Sequence, residues 1–171
     1  MLVEGFCDAD WASNKHRHSI SGYSFHFGCG AVSWSLKKQH IITLSSTKAE
    51  YIAQTHAAKE ALWFQSFMEE VRGGSQSPIT INCDNRGAIS LAKDNKFHSR
   101  TKHIDLRFHF IQEAVQDEKI AVSYVPTKEN PSDIFTKVLA KPKFLRFVDM
   151  LGLRVENKGE LRKEEKEGQR V

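Results

Sequence analysis

The sequence predicts an α/β fold built on an open, mixed sheet. Three observations carry that expectation. Short runs of alternating β-branched and aromatic residues open the chain, a long stretch with helical spacing follows at 46–71, and strand-like and helix-like runs then alternate. A helix linking two strands is a crossover, and crossovers join parallel strands, so the strand closing at Cys83 is expected beside one of the first three.

Residues 2–8 read as the first strand and "SNKHRHS" as a loop. "GYSFHFG" and "AVSWSL", separated by "GCG", form an antiparallel hairpin. Ala49, Ala53, Ala57, Ala61, Phe64, Met68 and Val71 then step by four or three along one face of a helix. Thr47 and Glu50 make a T-x-x-E capping box at its start, and Gly73 and Gly74 follow its end. "SPITINCD" is the next strand and "RGAISLAKD" a short helix. Ile104, Phe108, Ile111 and Val115 mark an amphipathic helix, and Ile120, Val122 and Tyr124 alternate as in a strand. "NPSDIFTKVL" starts a helix with Asn130 as cap and Pro131 in the first turn. Pro142 and Gly152 bracket a last helix with Phe144, Leu145, Val148 and Leu151 inside. The remainder, "ENKGELRKEEKEGQRV", has almost no apolar content and is expected to be disordered, which gives one domain over 1–153 and a charged tail over 154–171.

A chain of 171 residues suits one domain with a substantial core. At 40% hydrophobic and 27% charged it holds no stretch of membrane-spanning length, and "MLVEGF" lacks the layout of a secretory signal. A soluble, intracellular, non-secreted protein is expected. Three cysteines cannot form a complete disulfide framework, and no paired C-x-x-C spacing suggests zinc. Cys7 and Cys83 each precede an Asp, which turns sulfur and carboxylate to opposite faces of a strand. The net charge of +4 permits a polyanionic partner without demanding one. Residues 93–109 concentrate Lys93, Lys96, Arg100, Lys102 and Arg107, a segment that either tracks phosphates or is a solvated helix face.

The acids carry the chemistry. "GFCDADWAS" aims Asp8 and Asp10 from one strand face. Pairing the first strand with the one ending at Cys83 sets Asp8 beside Asp84 at the carboxyl ends, the edge where open α/β sheets bind ligands. Glu50 and Asp133 lie at two helix starts, where capping and the helix dipole offer simpler reasons for them. Converging carboxylates with no Lys or Arg among them need a divalent cation, and hard oxygen ligands suit Mg²⁺ or Mn²⁺. Two such ions about 3.5 to 4 Å apart support in-line attack on a phosphodiester. Together with a basic face, this points to nucleic-acid cleavage.

Five blocks now stand in order: "GFCDADWAS", "SWSLKKQHIITLSSTKAEYIA", "INCDNRGAI", "RTKHIDLRFHFIQE" and "VSYVPTKENPSDIFTKVL". Collinear from about residue 4 to about residue 153, they resemble the ribonuclease H domain of copia-class LTR retrotransposons. The resemblance implies a ribonuclease H-like fold, a five-stranded mixed sheet flanked by helices. It further implies hydrolysis of the RNA strand of an RNA-DNA hybrid with two Mg²⁺ ions, for which Mn²⁺ can substitute, leaving 3′-hydroxyl and 5′-phosphate ends. The implied metal ligands and catalytic residues are Asp8, Glu50, Asp84 and Asp133. Asp8 and Asp84 would bridge or bind the ions from the two central strands, with Glu50 at the ion nearer the leaving group and Asp133 at the ion that activates water. Asp10 falls where the wider superfamily often has Ser and is the runner-up to Asp8.

For substrate, the resemblance places Ser45, Ser46 and Thr47 at a DNA-strand phosphate, with plain capping as the other reading. Asn85 and Arg86 edge the site toward the RNA backbone, and Lys96, Arg100, Lys102 and His103 complete the expected contacts. His103 and His109 lie in a block typical of the class. Cellular ribonucleases H carry a His in the loop before the last acid, whereas "VPTKENPSD" offers Lys128 and Glu129 instead. Lys48 stands where the copia block commonly has Glu. The implied partners are the hybrid and the reverse transcriptase domain of the same polyprotein, in a cytoplasmic particle or the nucleus. The chain holds no Y-x-D-D, so a detached domain or a polyprotein tail is expected. The competing function is a catalytically silent, hybrid-binding or connection-like module on the same fold. Recombination chemistry on this fold is disfavoured by the "KHID" and "VPT" blocks.

Overall fold

The computed structural model describes residues 2–12, 17–74, 77–94 and 102–153, with backbone alone for 102–108. Among them five strands form one sheet: β1 (Val3–Asp10), β2 (Ile20–Phe27), β3 (Gly30–Lys38), β4 (Ile79–Cys83) and β5 (Ile120–Tyr124). The order across the sheet is β3-β2-β1-β4-β5. β1, β2 and β3 pair antiparallel, while β4 runs parallel to β1 and β5 parallel to β4. The mixed sheet expected from the crossover argument is therefore present, with β1 and β4 side by side at its centre.

The helices are α1 (Ser46–Arg72), α2 (Arg86–Lys93), α3 (Lys102–Gln116), α4 (Asp133–Thr136) and α5 (Lys141–Met150). The alanine stripe of α1 is buried at Ala49, Ala53, Ala57 and Ala61, small side chains that let a helix axis lie close to a sheet. Val71, at the far end of that stripe, is exposed instead. A helix of 27 residues is about 40 Å long and a strand of 9 about 30 Å, so α1 outruns the sheet it covers. Cys7 and Cys83 are wholly buried and face the core.

Three local expectations are corrected. The cap of α1 is Ser45 rather than Thr47: Ser45 is extended, and its Oγ accepts the Lys48 N–H at 3.3 Å. Glu50 is thereby released from a capping role. The "NPSD" helix is only four residues long, because Lys137 returns to extended backbone, and Asn130 precedes it by a turn. In α5 the buried residue is Phe147, with Leu151 buried just past its end, while Phe144 and Leu145 are exposed. That phase is set by docking, since the Leu151 carbonyl accepts the Ala31 N–H of β3 at 2.9 Å.

The tail at 154–171 and the basic residues Lys96 and Arg100 lie outside the described residues. Among those described, no helix is long and apolar enough to cross a membrane.

Candidate active site

Each acid is delivered by a separate element. Asp8 sits near the carboxyl end of β1, fully buried, with Gly22 of β2 opposite it in register. A Cβ on Gly22 would stand 2.8 Å from Thr136 Cγ2 and 2.9 Å from Phe135 Cβ, so only glycine lets α4 settle on β2 at that point. This close approach is what carries Asp133 over Asp8. Asn130, also fully buried, fixes the chain before α4: its Nδ2 donates to the Cys7 carbonyl at 2.8 Å and its Oδ1 accepts the Ser132 N–H at 3.2 Å. Thr136 Oγ1 donates to Asp8 Oδ2.

Asp84 follows directly on β4, and Thr127 Oγ1 donates to its Oδ2 at 2.6 Å. Glu50 comes down from the start of α1 and is buried. One oxygen from each of Asp8, Asp84 and Asp133 lies within 4.8 Å of the others. Glu50, Cys83 and Asp84 form a second group within the same limit, so Asp84 is common to both. Asp10, half-buried at the end of β1, belongs to neither group.

Burial and mutual repulsion oppose ionisation here. Burial pushes Asp8 up to about 6, against the pull of Lys137. Glu50 is pushed up to about 10, first by burial and then by Asp8, Cys83 and Asp84. Protonation relieves such a cluster, and so does a cation.

Two lysines supply part of that cation, which corrects the expectation of acids with no basic side chain among them. Lys137 Nζ stands 3.0 Å from Asp8 Oδ1 and 2.8 Å from Asp133 Oδ1, and Lys143 Nζ 2.6 Å from Asp133 Oδ2. Lys137 lies four residues beyond Asp133, the spacing at which helical neighbours meet, and Lys143 returns from α5. Burial lowers the Lys137 ammonium, but Asp8 and Asp133 more than offset this and hold it charged. Glu50 and Asp84 have no Lys or Arg paired with them among the described residues. The site thus has a neutralised half, Asp8 and Asp133, and an unneutralised half, Glu50 and Asp84. Hard oxygen donors, two of them lacking a counter-charge, fit a divalent cation such as Mg²⁺ or Mn²⁺.

The expected substrate residues divide. Ser45 caps α1, Ser46 is exposed beside it, and Thr47 lies against Gly87, where a Cβ would come within 3.1 Å of it. The starts of α1 and α2 therefore meet near the acids. Asn85 Oδ1 caps α2 by accepting the Ala88 N–H at 3.0 Å. The Arg86 guanidinium lies 4.0 Å from the centre of the Tyr124 ring, a cation–π contact at the site edge. Lys102 and His103 belong to α3, whose backbone alone is described there, and His109 is half-buried further along it. Lys128 and Glu129 pair with each other at 3.7 Å in the turn before α4.

No protein-family model matches the chain. It is 42% identical over 153 residues to the retrovirus-related Pol polyprotein from transposon TNT 1-94 of Nicotiana tabacum, covering 89% of this chain and 11% of that protein. The Pol polyprotein from transposon RE1 of Arabidopsis thaliana is 37% identical over 154 residues, covering 90% of this chain and 10% of that one. The chain thus spans about a tenth of the length of these relatives. Among solved structures, LC11-RNase H1 in complex with an RNA/DNA hybrid superposes with a TM-score of 0.57 at 13% identity, covering 78% of this chain and 93% of that one. The likeness in structure shows the fold, and the likeness in sequence shows that such a segment occurs within larger Pol polyproteins. The chain belongs with the copia-class retrotransposon Pol polyproteins, as a segment with the ribonuclease H fold.

Proposed function

We propose that the chain is a metal-dependent endonuclease that hydrolyses the RNA strand of RNA-DNA hybrids during retrotransposon reverse transcription. The observation that carries this is the meeting of acids from β1, α1, the end of β4 and α4 in two ligand groups that share Asp84, one of three carboxylates and one of Glu50 and Asp84 with the Cys83 sulfur. In this reading Asp8, Asp84 and Asp133 would hold one divalent cation and Glu50 with Asp84 a second. When bound, such ions supply an acidified water and a Lewis acid at the leaving oxygen. The chain's own residues hold the carboxylates still: Thr127 at Asp84, Thr136 at Asp8, and Lys137 across Asp8 and Asp133.

Substrate contacts follow the same reading. The joined starts of α1 and α2 offer Ser46 and Thr47 to a phosphate of the DNA strand, with Ser45 holding the turn. Arg86 and Asn85 border the RNA strand, and the basic segment with Lys96, Arg100, Lys102 and His103 tracks phosphates. A hybrid is what the solved LC11-RNase H1 neighbour holds, which supports this substrate class. The partner is the reverse transcriptase domain of the same polyprotein, in a cytoplasmic particle or the nucleus. The nuclease unit is 1–153, with 154–171 as a tail.

One observation favours a silent hybrid-binding module instead: Lys137 and Lys143 neutralise Asp8 and Asp133 with no metal. A hybrid labelled in turn on its RNA and its DNA strand separates the two readings. The nuclease shortens the RNA strand alone, in Mg²⁺ and not in EDTA. Binding without cleavage in Mg²⁺ or in Mn²⁺ identifies the silent module.

A further inference from the structure

Away from the acids, β2 and β3 form a groove with α1 of about 500 Å³. Lys37, Lys38 and His40 line it from β3 and the turn beyond, and His56, Lys59 and Trp63 from α1. Its one acidic lining residue, Glu60, is engaged by hydroxyls, accepting from Ser33 Oγ at 2.5 Å and Tyr23 Oη at 3.4 Å. The balance facing the groove is therefore positive. The Lys59 ammonium also leans 6.0 Å from the Phe110 ring centre, which leaves Lys37 and Lys38 as its principal free-standing charges.

Two features make the groove more than a basic patch. Trp63 is 57% exposed and stacks on Phe67 at 5.5 Å with an 8° interplanar angle, so a stacked aromatic pair stands on the surface at the groove's edge. Gln39, which lines the groove and is 2% exposed, has an unpartnered Oε1. Its Nε2 donates to Ser21 Oγ at 2.8 Å and to the Ala49 carbonyl at 2.9 Å, and because a carbonyl can only accept, the amide orientation is fixed. A buried acceptor without a donor is costly, and Gln39 Oε1 is such an atom in the groove wall. The Ala49 bond also ties the groove to the turn that carries Glu50, and β3 lies two strands from β1, roughly 10 Å at ordinary strand spacing.

We propose that this groove binds single-stranded nucleic acid, with phosphates on Lys37 and Lys38 and a base stacked against Trp63. Lysines beside an exposed aromatic platform are the combination that holds unpaired strands without reading sequence. The groove would then take an unpaired stretch adjoining the hybrid at the acidic site. This rests on the nucleic-acid reading above, but binding without metal is separable from cleavage.

The test is fluorescence anisotropy of labelled oligo(dT) and oligo(U) with the full chain in EDTA, competed by dTMP and by inorganic phosphate. Lys37→Gln with Lys38→Gln, and separately Trp63→Ala, are each expected to weaken binding at least tenfold while circular dichroism is unchanged. The paired lysine change is also expected to flatten the slope of log K against log salt by about 1.4, the loss of two phosphate contacts on a single strand. Unchanged affinity in both variants would overturn the proposal. So would displacement by dTMP as effective as by the strand, which assigns the groove to a free nucleotide, or by phosphate alone, which leaves only a general anion site. Loss of hybrid cleavage in the wild type with strand binding intact would count against the nuclease and not against the groove.

Discussion

The Lys137 ammonium stands 3.0 Å from Asp8, a residue 129 positions earlier in the chain, and bridges it to Asp133 at 2.8 Å. This one side chain serves as the internal counter-charge of the neutralised half of the site. Its removal should leave two buried carboxylates with only Lys143 beside them. Lys137→Ala is expected to destabilise the metal-free protein by roughly 3 kcal/mol at neutral pH. Saturating Mg²⁺ should restore most of that loss. Urea midpoints with EDTA and with Mg²⁺ check both halves; equal losses in the two conditions would mean that lysine and metal do not share the same oxygens.

Gly22 controls the approach of α4. Gly22→Ala inserts a methyl at 2.8 Å from Thr136 Cγ2, and overpacking of that kind costs about 1 to 3 kcal/mol. Asp133 should move off Asp8, so hybrid cleavage is expected to fall further than the shift in urea midpoint explains. A variant with normal cleavage would show that the helix position is not what sets the site.

The raised carboxyls fix a pH dependence. Asp8, at about 6 rather than 3.8, and Glu50, at about 10 rather than 4.5, bind protons more tightly folded than unfolded. Their contribution to stability is complete below the ordinary carboxyl range and is lost as pH rises through the folded values. In EDTA the urea midpoint should therefore fall from about pH 5 toward pH 8, with Glu50 extending the loss further. Mg²⁺, which binds the ionised form, should stabilise more at the upper end of that range. A midpoint that rises with pH in EDTA would contradict the placement of these groups.

Capping separates Ser45 from Thr47. Ser45→Ala removes the acceptor for the Lys48 N–H and should cost about 1 kcal/mol, whereas Thr47→Ala should cost less in stability and act on hybrid affinity. Thermal melts and hybrid binding, measured on both variants, distinguish the two roles.

How far the chain could be read in advance depends on the range of the interaction. Strand and helix periods are local, so the alternation at Ile120 and Val122 and the alanine stripe of α1 were visible as patterns, and the crossover rule then placed β4 beside β1. The meeting of Asp8 with Asp84 followed from that topology. The cap of α1 was ambiguous because Ser45, Ser46 and Thr47 offer three adjacent hydroxyls, and only backbone geometry chooses among them. Lys137 could be paired with Asp133 only by knowing that a helical turn begins there, and Lys143 depends on where α5 docks. Gly22 gave no local sign of its contact, since its reason lies over a hundred residues away in α4. The groove at Lys37 and Trp63 was invisible for the same cause: its walls come from β3 and α1, and nothing in either segment names the other.

Asp84 belongs to both candidate ligand groups, so its carboxylate is the position on which the proposed chemistry turns. The direct measurement is the initial rate of RNA-strand cleavage in a labelled hybrid by the wild type and by Asp84→Asn, each in Mg²⁺, with folding followed by circular dichroism. Removing one of several clustered negative charges should leave the fold intact and lower the rate by at least a hundredfold, about 2.7 kcal/mol of lost transition-state stabilisation. Cleavage by Asp84→Asn at the wild-type rate, or a wild-type rate indifferent to EDTA, would contradict the account.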